Sequence, residues 1–498
     1  MPRKNPNLLF ILTDEQRFDT MLAYGNKAIL TPTLNKLSNH STIYEKAYVA
    51  QPVCAPGRST LYSGLYPHTN GVINNGVNLN SGIQLLPELI SNDYTKGFIG
   101  RTGNLSTSDG KIAPMRGLDS TEYFNLPPEE VLKKQNIHPI DGSNYTNIDR
   151  VNLSENQSGP SYLAEQATKF IRKHQNEPFA LFCSIYEPHS PYFGPLNHLH
   201  DPDNIPLRPN VLIPPESTKP LKNKMEAAYF EKHPLHGTEI PINGKPQFRR
   251  ETMNDERKIN HNTKEGYKKI IANYWGNCSL VDRSLEKIFN ELQHCNLYDD
   301  TTIIFTSEHG AMLGSHSLMY KCFLYEESAR VPLLIKYPNQ KTKLRIKNPV
   351  SHIDVAPTIL DLLNQPTPNN FQGKLLPLDD KQLSNVIVEW NGWNGGIGGN
   401  FVCSQDATKD PYPEYLAKLS SKDAGLESLL QKSRTIITPQ GWKFTWSSIE
   451  ENELYNLNTD PFELTNLAFN NSFANIIANC KKSILAWQEN TNDLLKLP

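Results

Sequence analysis

The chain alternates short, near-continuous apolar runs with longer stretches in which apolar residues recur at helical spacing. Residues 8–12, 98–99, 179–185, 303–305 and 331–335 are apolar runs of the kind found in strands covered on both faces. Residues 162–174 and 267–292 place apolar side chains three and four apart, which predicts amphipathic helices able to cover such a sheet. Together they predict an α/β fold with a mostly parallel central sheet flanked by helices. Between 188 and 261 the composition turns to Pro, Asn, His and charged residues, over a length too great for an ordinary connection, and a loop-rich excursion is expected. From 386 onward short strands are broken by Asn, Gly and Pro, and an amphipathic stretch follows near 475–495. The expected organisation is therefore a large α/β domain at 1–385 and a smaller α+β domain at 386–498, with a small antiparallel sheet and a terminal helix. Within the latter, 390–399 reads as a loop that leaves the rings of Trp390 and Trp393 open to a ligand.

The length of 498 residues exceeds what one core usually serves, which also favours two domains. Fifty basic against fifty-two acidic side chains leave a formal charge of -2 and no basic patch, so neither nucleic acid nor a membrane is an expected partner and a small molecule is. Seven cysteines, an odd count without paired spacing, suit neither a disulfide framework nor a zinc site and fit a reducing compartment. The first apolar run is cut off by Thr13-Asp14-Glu15-Gln16, too soon to span a bilayer. Arg3 and Lys4 precede it, but no small-residue cleavage site follows, so with neither signal peptide nor transmembrane segment a cytoplasmic location is expected.

In open α/β sheets ligands bind beyond the carboxyl ends of the strands. Three of the apolar runs end in suitable groups: Asp14-Glu15, Glu187-Pro188-His189 and Ser307-Glu308-His309-Gly310. Oxygen-rich ligation with one imidazole suits calcium, magnesium or manganese. A fourth candidate is Cys54-Ala55-Pro56-Gly57-Arg58, followed by Ser63-Gly64. A cysteine beside a proline is otherwise most simply a small buried apolar side chain.

That Cys-X-Pro-X-Arg pattern resembles the signature of the formylglycine-dependent type I sulfatases, in the alkaline phosphatase-like superfamily, and the resemblance runs nearly end to end. Residues Asn7 to Gln16 resemble the opening strand with its acidic ligands, and Gly64-Leu65-Tyr66-Pro67-His68 the segment after the modified cysteine. Glu187-Pro188-His189-Ser190-Pro191 resembles the Pro-His-X-Pro segment, and Glu453-Leu454-Tyr455-Asn456-Leu457 with Asp460-Pro461 the C-terminal signature. The resemblance implies hydrolysis of a sulfate ester by a formylglycine derived from Cys54, through a covalent sulfated intermediate. One hydroxyl of the hydrated aldehyde attacks sulfur; the other later loses its proton and expels sulfate. It also implies one divalent ion, Ca2+ first with Mg2+ or Mn2+ as alternatives, held by Asp14, Glu15, Cys54, Glu308 and His309. Arg58 would stabilise the alkoxide, His189 and Lys321 would serve the leaving side, and Asn75 and Arg101 would bind substrate. The domain at 1–385 would be the catalytic one, with the excursion 188–261 over the active site. The implied partners are a small-molecule or saccharide sulfate ester and, during maturation, a formylglycine-generating enzyme.

The sequence departs from the family pattern at several places. Glu308 and Glu15 each carry one methylene more than the usual Asp; Gly57 stands where Ser is frequent. In Gly100-Arg101-Thr102-Gly103-Asn104, the usual Gly-Lys-X-His has exchanged Lys for Arg101 and lost its His at Gly103. These changes keep two other readings open: a phosphonate monoester or phosphodiester hydrolase of the same superfamily, and a sulfatase-like binding protein with weak or no turnover.

Overall fold

The structure is a computed structural model and describes residues 5–103, 105–106, 116–124, 132–133, 135–137, 147–232, 241–242, 245–246, 262–392 and 412–498. In chain order the strands are β1 Asn7–Asp14, β2 Thr42–Tyr48, β3 Thr95–Arg101, β4 Ser120–Phe124, β5 Phe179–Pro188, β6 Pro241–Ile242, β7 Lys245–Pro246, β8 Thr301–Ser307, β9 Arg330–Val331, β10 Leu333–Lys336, β11 Leu344–Ser351, β12 Val386–Asn391, β13 Lys432–Ile437, β14 Trp442–Ser447 and β15 Glu453–Asn456. Contacts divide the chain into two compact units, one formed by 1–205, 271–310 and 330–384, the other by 206–270, 311–329 and 385–498.

The first unit is built on a sheet in the order β11-β2-β10-β8-β1-β5-β3-β4, with β9 paired to β2. Strands β8, β1, β5, β3 and β4 run parallel, as do β2 and β11; β10 is antiparallel to both of its neighbours. This is the expected mostly parallel α/β architecture, and each of the five predicted runs lies in strand. The last of them, 331–335, is split. Pro332 has no N–H for a ladder, and the chain there passes from β9 to β10.

Strand β1 shows why the sheet is buried on both sides. Leu8, Phe10 and Leu12 point to one face, where they join Leu61 and Tyr62 of the Cys54–Ser63 helix and Ile359 and Leu360 of the Val355–Leu362 helix. Leu9 and Ile11 point to the other, against Leu163 and Ile171 of the Gly159–Lys173 helix and Val281, Leu285 and Ile288 of the Lys264–His294 helix. These two long helices are the ones that the periodicity at 162–174 and 267–292 predicted.

The second unit holds an antiparallel sheet in the order β12-β13-β14-β15, the β6–β7 pair and the terminal helix Ala474–Thr491. Residues 188–261 are not one structureless loop. They fall in both units and include the Leu221–Lys232 helix, where Met225 packs on Leu416 and Leu429. The reading of Trp390 as an open ring is corrected: it lies in β12, 2% exposed, with Lys222 Nζ 3.9 Å from its ring centroid. Trp393 lies outside the described residues. Among the described residues no helix is long and apolar enough to cross a membrane.

Candidate active site

Four adjacent parallel strands deliver their carboxyl ends to one edge of the first unit's sheet, in the order β8, β1, β5, β3. They bring Glu308 and His309, Asp14 and Glu15, His189, and Arg101, respectively. The placement is a direct consequence of topology: parallel neighbours end at the same edge, and the polar residues that stop each apolar run meet there.

Local irregularities aim the side chains. The β1–β5 register shifts between Thr13 and Asp14, and Glu15 follows in the left-handed region at φ 69. Beside β1, the Glu308 amide donates to the Thr13 carbonyl at 3.1 Å, and the Ser307 hydroxyl accepts from the Gln16 amide at 2.8 Å. Cys54 is the first residue of the Cys54–Ser63 helix. Val53 gives that helix no side-chain cap; instead Asn75 Oδ1 accepts from the Ala55 amide at 2.9 Å. The side chain at 54 thus stands at the positive end of the helix dipole, which favours negative charge on it.

Asp14, Cys54, Glu308 and His309 are buried and offer donor atoms that all lie within 4.8 Å of one another. Cys54 Sγ is 3.3 Å from His309 Nε2, and that nitrogen is 3.2 Å from Glu308 Oε1. His309 Nδ1 donates to the Gly310 carbonyl at 2.9 Å, which leaves Nε2 as the ring atom facing the cluster. Asp14 Oδ1 and Glu308 Oε1 are buried without a hydrogen-bond partner. Unsatisfied carboxylate oxygens, an imidazole nitrogen and a sulfur converging in this way fit a bound divalent cation. A second group within the same limit joins Asp14 and Glu15 to His189.

Cations surround the quartet. Arg58, fully buried, pairs through Nε with Glu308 and has Nη2 3.6 Å from Asp14 Oδ2; its Nη1 donates to Ser184 Oγ at 2.6 Å and to the Arg101 carbonyl at 3.1 Å. Arg101 Nη1 donates to Asp14 Oδ2 at 2.5 Å, and its guanidinium lies 4.7 Å from the Tyr186 ring centroid. Burial alone would raise the pKa of Asp14, but Arg101, His189, Glu308 and Arg58 together hold it well below the usual carboxylate range. Burial likewise opposes protonation of His309, yet the Cys54 sulfur and Glu308 push its pKa up to about 10. Both shifts describe a pocket of dense, mutually compensating charge.

The departures from the family pattern have steric counterparts. A Cβ at Gly57 would come within 2.7 Å of the Glu308 carbonyl oxygen, so glycine there permits the close approach of the longer residue's backbone. A Cβ at Gly103, which is left-handed at φ 66, would fall on Arg58 Nε and Cδ. The place of a side chain at 103 is thus taken by Arg58 itself. Asn104 lies outside the described residues.

Of the expected site residues, the structure gathers Asp14, Glu15, Cys54, Arg58, Arg101, His189, Glu308 and His309, and sets Asn75 behind the start of the Cys54 helix. Lys321 belongs to the second unit, half-buried between Tyr320 and Cys322, both left-handed at φ 58 and 78. Sequence reasoning missed Ser184, Tyr186 and Tyr274. A polar Ser184 inside the apolar run of β5 was the one available signal; the two tyrosines read as ordinary packing residues.

The sulfatase family profile matches residues 6–365. Arylsulfatase K of Canis lupus familiaris is 25% identical over 480 residues, covering 93% of this chain and 79% of that protein. An N-acetylglucosamine-6-O-sulfatase of Bacteroides thetaiotaomicron is 22% identical over 506 residues, with 93% and 83% covered. The crystal structure of a phosphonate monoester hydrolase of Agrobacterium radiobacter superposes with a TM-score of 0.73 at 20% identity, over 98% of this chain and 96% of that one. With its family profile matched over most of its length, the chain belongs to the sulfatase family.

Proposed function

We propose that the protein is a metal-dependent sulfuric ester hydrolase whose nucleophile is a formylglycine made from Cys54. The observation that carries this reading is the buried quartet of Asp14, Cys54, Glu308 and His309 at the start of the Cys54 helix. In the structure Cys54 is a cysteine, and its Sγ stands in for the nucleophilic oxygen. A divalent ion bound there would polarise a sulfuryl oxygen, and the hydrated aldehyde would supply the attacking hydroxyl. Asp14, Glu308 and His309 hold the ion together with residue 54; calcium is favoured, because its flexible coordination accepts the longer reach of Glu308 better than magnesium does. Arg58 fixes the Glu308 carboxylate and favours negative charge at position 54. Arg101, over the Tyr186 ring, presents a cation to the sulfuryl oxygens. His189 serves the departing alkoxide by giving it a proton. Asn75 steadies the nucleophile's helix and offers an amide to the substrate. The saccharide specificity in the name of the Bacteroides relative supports a sugar-linked sulfate as the substrate class.

Peptide mass spectrometry across Cys54 on protein from its natural host, with sulfate release from aryl, choline and saccharide sulfates, tests the reading. An aldehyde mass with sulfate release supports it; an unmodified thiol throughout removes the mechanism. A second reading, hydrolysis of phosphonate monoesters or phosphodiesters, is favoured by the imidazole of His309 beside the acidic ligand and by the fold shared with the phosphonate monoester hydrolase. A monoanionic diester and a sulfate monoester present similar charge to this site, so the ratio of kcat/KM on a matched pair of substrates separates the two.

A further inference from the structure

Alternate residues of β5 lead from the core into the site. Phe182 packs on Tyr62 of the Cys54–Ser63 helix, with ring centroids 6.1 Å apart. Two residues on, Ser184 Oγ accepts from Arg58 Nη1 of the same helix at 2.6 Å. Two further on, the Tyr186 ring lies below the Arg101 guanidinium, whose Cζ is 4.7 Å from the ring centroid. Between Thr13 and Asp14 of β1 the partner on β5 jumps from Ile185 to Pro188, so Tyr186 and Glu187 pair with no residue of β1. A bulge of this kind bends a strand and re-aims the side chains within it.

The Tyr186 ring is held by groups other than Arg101. Its hydroxyl donates to the Ser190 carbonyl at 2.7 Å, an oxygen that also lies 2.6 Å from His189 Nδ1. The two rings pack with centroids 4.9 Å apart. Tyr186 is therefore a fixed surface on which a mobile side chain can rest.

The two arginines of the site differ in exposure. The Arg58 side chain is fully buried, whereas that of Arg101 is 15% exposed, so Arg101 is the one that a ligand arriving from solvent can touch. Its Nη1 is tied to Asp14 Oδ2, but a single hydrogen bond does not set the orientation of a planar fork at the end of a long side chain. The aromatic face below Cζ supplies the second contact, with the attraction of a cation to a π-system. A lysine ammonium would present a point charge with no plane to orient, and this chain carries Arg101 where the family pattern has Lys.

We propose that Tyr186 is a positioning residue that holds the Arg101 guanidinium ready for the sulfuryl oxygens of the substrate. The inference rests on the hydrolase reading above, in which Arg101 binds the sulfuryl group.

The test uses the full-length, matured protein with Ca2+. Tyr186 is replaced by Leu, by Phe and by phenylalanines of rising ring fluorination, which weaken the aromatic face at nearly constant shape, each also in an Arg101→Ala background. Binding of inorganic sulfate is titrated by calorimetry, and kcat and KM are measured on an aryl sulfate. Tyr186→Leu raises the sulfate Kd and the KM by about tenfold, the scale of one desolvated cation–aromatic contact, and changes kcat by less than about threefold. Tyr186→Phe keeps the sulfate Kd within about twofold of wild type, and fluorination raises it stepwise. With Arg101→Ala in place, changes at 186 alter the Kd no further. Calcium content stays at the wild-type level in every variant. A Kd that ignores fluorination, losses at 186 that persist without Arg101, a fall in kcat at unchanged KM, or loss of calcium in Tyr186→Leu each overturns the inference, as does a wild-type protein that binds no sulfate. Should Tyr186→Leu fail to fold, the fluorinated series, which preserves the packing, decides alone. A wild-type protein that binds sulfate but turns over no ester overturns the hydrolase reading instead, and the sulfate titrations still decide the role of Tyr186.

Discussion

At the scale of single residues, Gly103 is where the physical reading and the family pattern part most clearly. By pattern alone a histidine is missing there, and restoring it should improve turnover. By geometry a side chain at 103 falls on the Arg58 guanidinium, which is paired with Glu308, bonded to Ser184 and close to Asp14. Overpacking of a closed site of this kind costs about 1–3 kcal/mol, and a left-handed β-carbon adds strain. Gly103→His is therefore expected to lower the melting temperature and to abolish turnover, and Gly103→Ala to do the same to a smaller degree. Thermal unfolding and kcat on the wild-type substrate check both, and a Gly103→His enzyme faster than wild type would refute the steric account. The same residue marks a limit of sequence reading. Asp14, Glu308, His309, His189 and Cys54 were legible because each stops an apolar run or sits in a rare motif. That Arg58 fills the space beside residue 103 depends on three elements meeting, and no local pattern encodes it.

At the scale of elements, apolar runs located β1, β3, β5 and β8, because a strand buried on both faces leaves an unbroken signature. Strands β2 and β11 were harder to see, since exposed or half-buried Glu45, Lys46, Arg345 and Lys347 interrupt their apolar positions near the sheet edge. One contact between such elements carries a pH dependence. His352, just after β11, has its Nε2 2.8 Å from Thr306 Oγ1 on β8, and that hydroxyl donates to the Pro332 carbonyl at 2.8 Å. Nε2 therefore carries the imidazole proton, and Nδ1 is buried without a partner. Burial pushes the His352 pKa down to about 3, and burial pushes that of His200 down to about 4. Both are depressed below the unfolded value near 6.5, so the unfolded chain takes up protons first as pH falls. Their contribution to stability is complete above pH 6.5 and is lost between there and about pH 4 and 3, at up to about 1.4 kcal/mol per pH unit for each. His352→Gln, which keeps a donor near Thr306 but does not titrate, is expected to flatten the decline of melting temperature between pH 6.5 and 4.5. An unchanged slope in the variant would place the acid sensitivity elsewhere.

At the scale of the whole molecule, every proposed metal donor lies in the first unit, although two of that unit's three chain segments are needed to supply them. Asp14 and Cys54 come from its first segment, and Glu308 and His309 from its second. Bringing four buried polar groups together is unfavourable until something satisfies them, and an ion that binds only the assembled set shifts the folding equilibrium by mass action. At a hundredfold excess over its Kd the shift is about 2.7 kcal/mol, or roughly a hundredfold change in the open population. Removal of the ion with a chelator is thus expected to raise amide exchange by up to that factor in β1, β8 and the start of the Cys54–Ser63 helix. The antiparallel strands β12 to β15 contribute no donor, and their exchange is expected to stay the same. Readdition of Ca2+ should restore protection, and a Glu308→Gln variant should exchange like the chelated protein whether or not Ca2+ is present. If chelation instead loosens the second sheet as much as the first, the ion acts on the molecule at large, and the buried quartet is not where its binding energy enters.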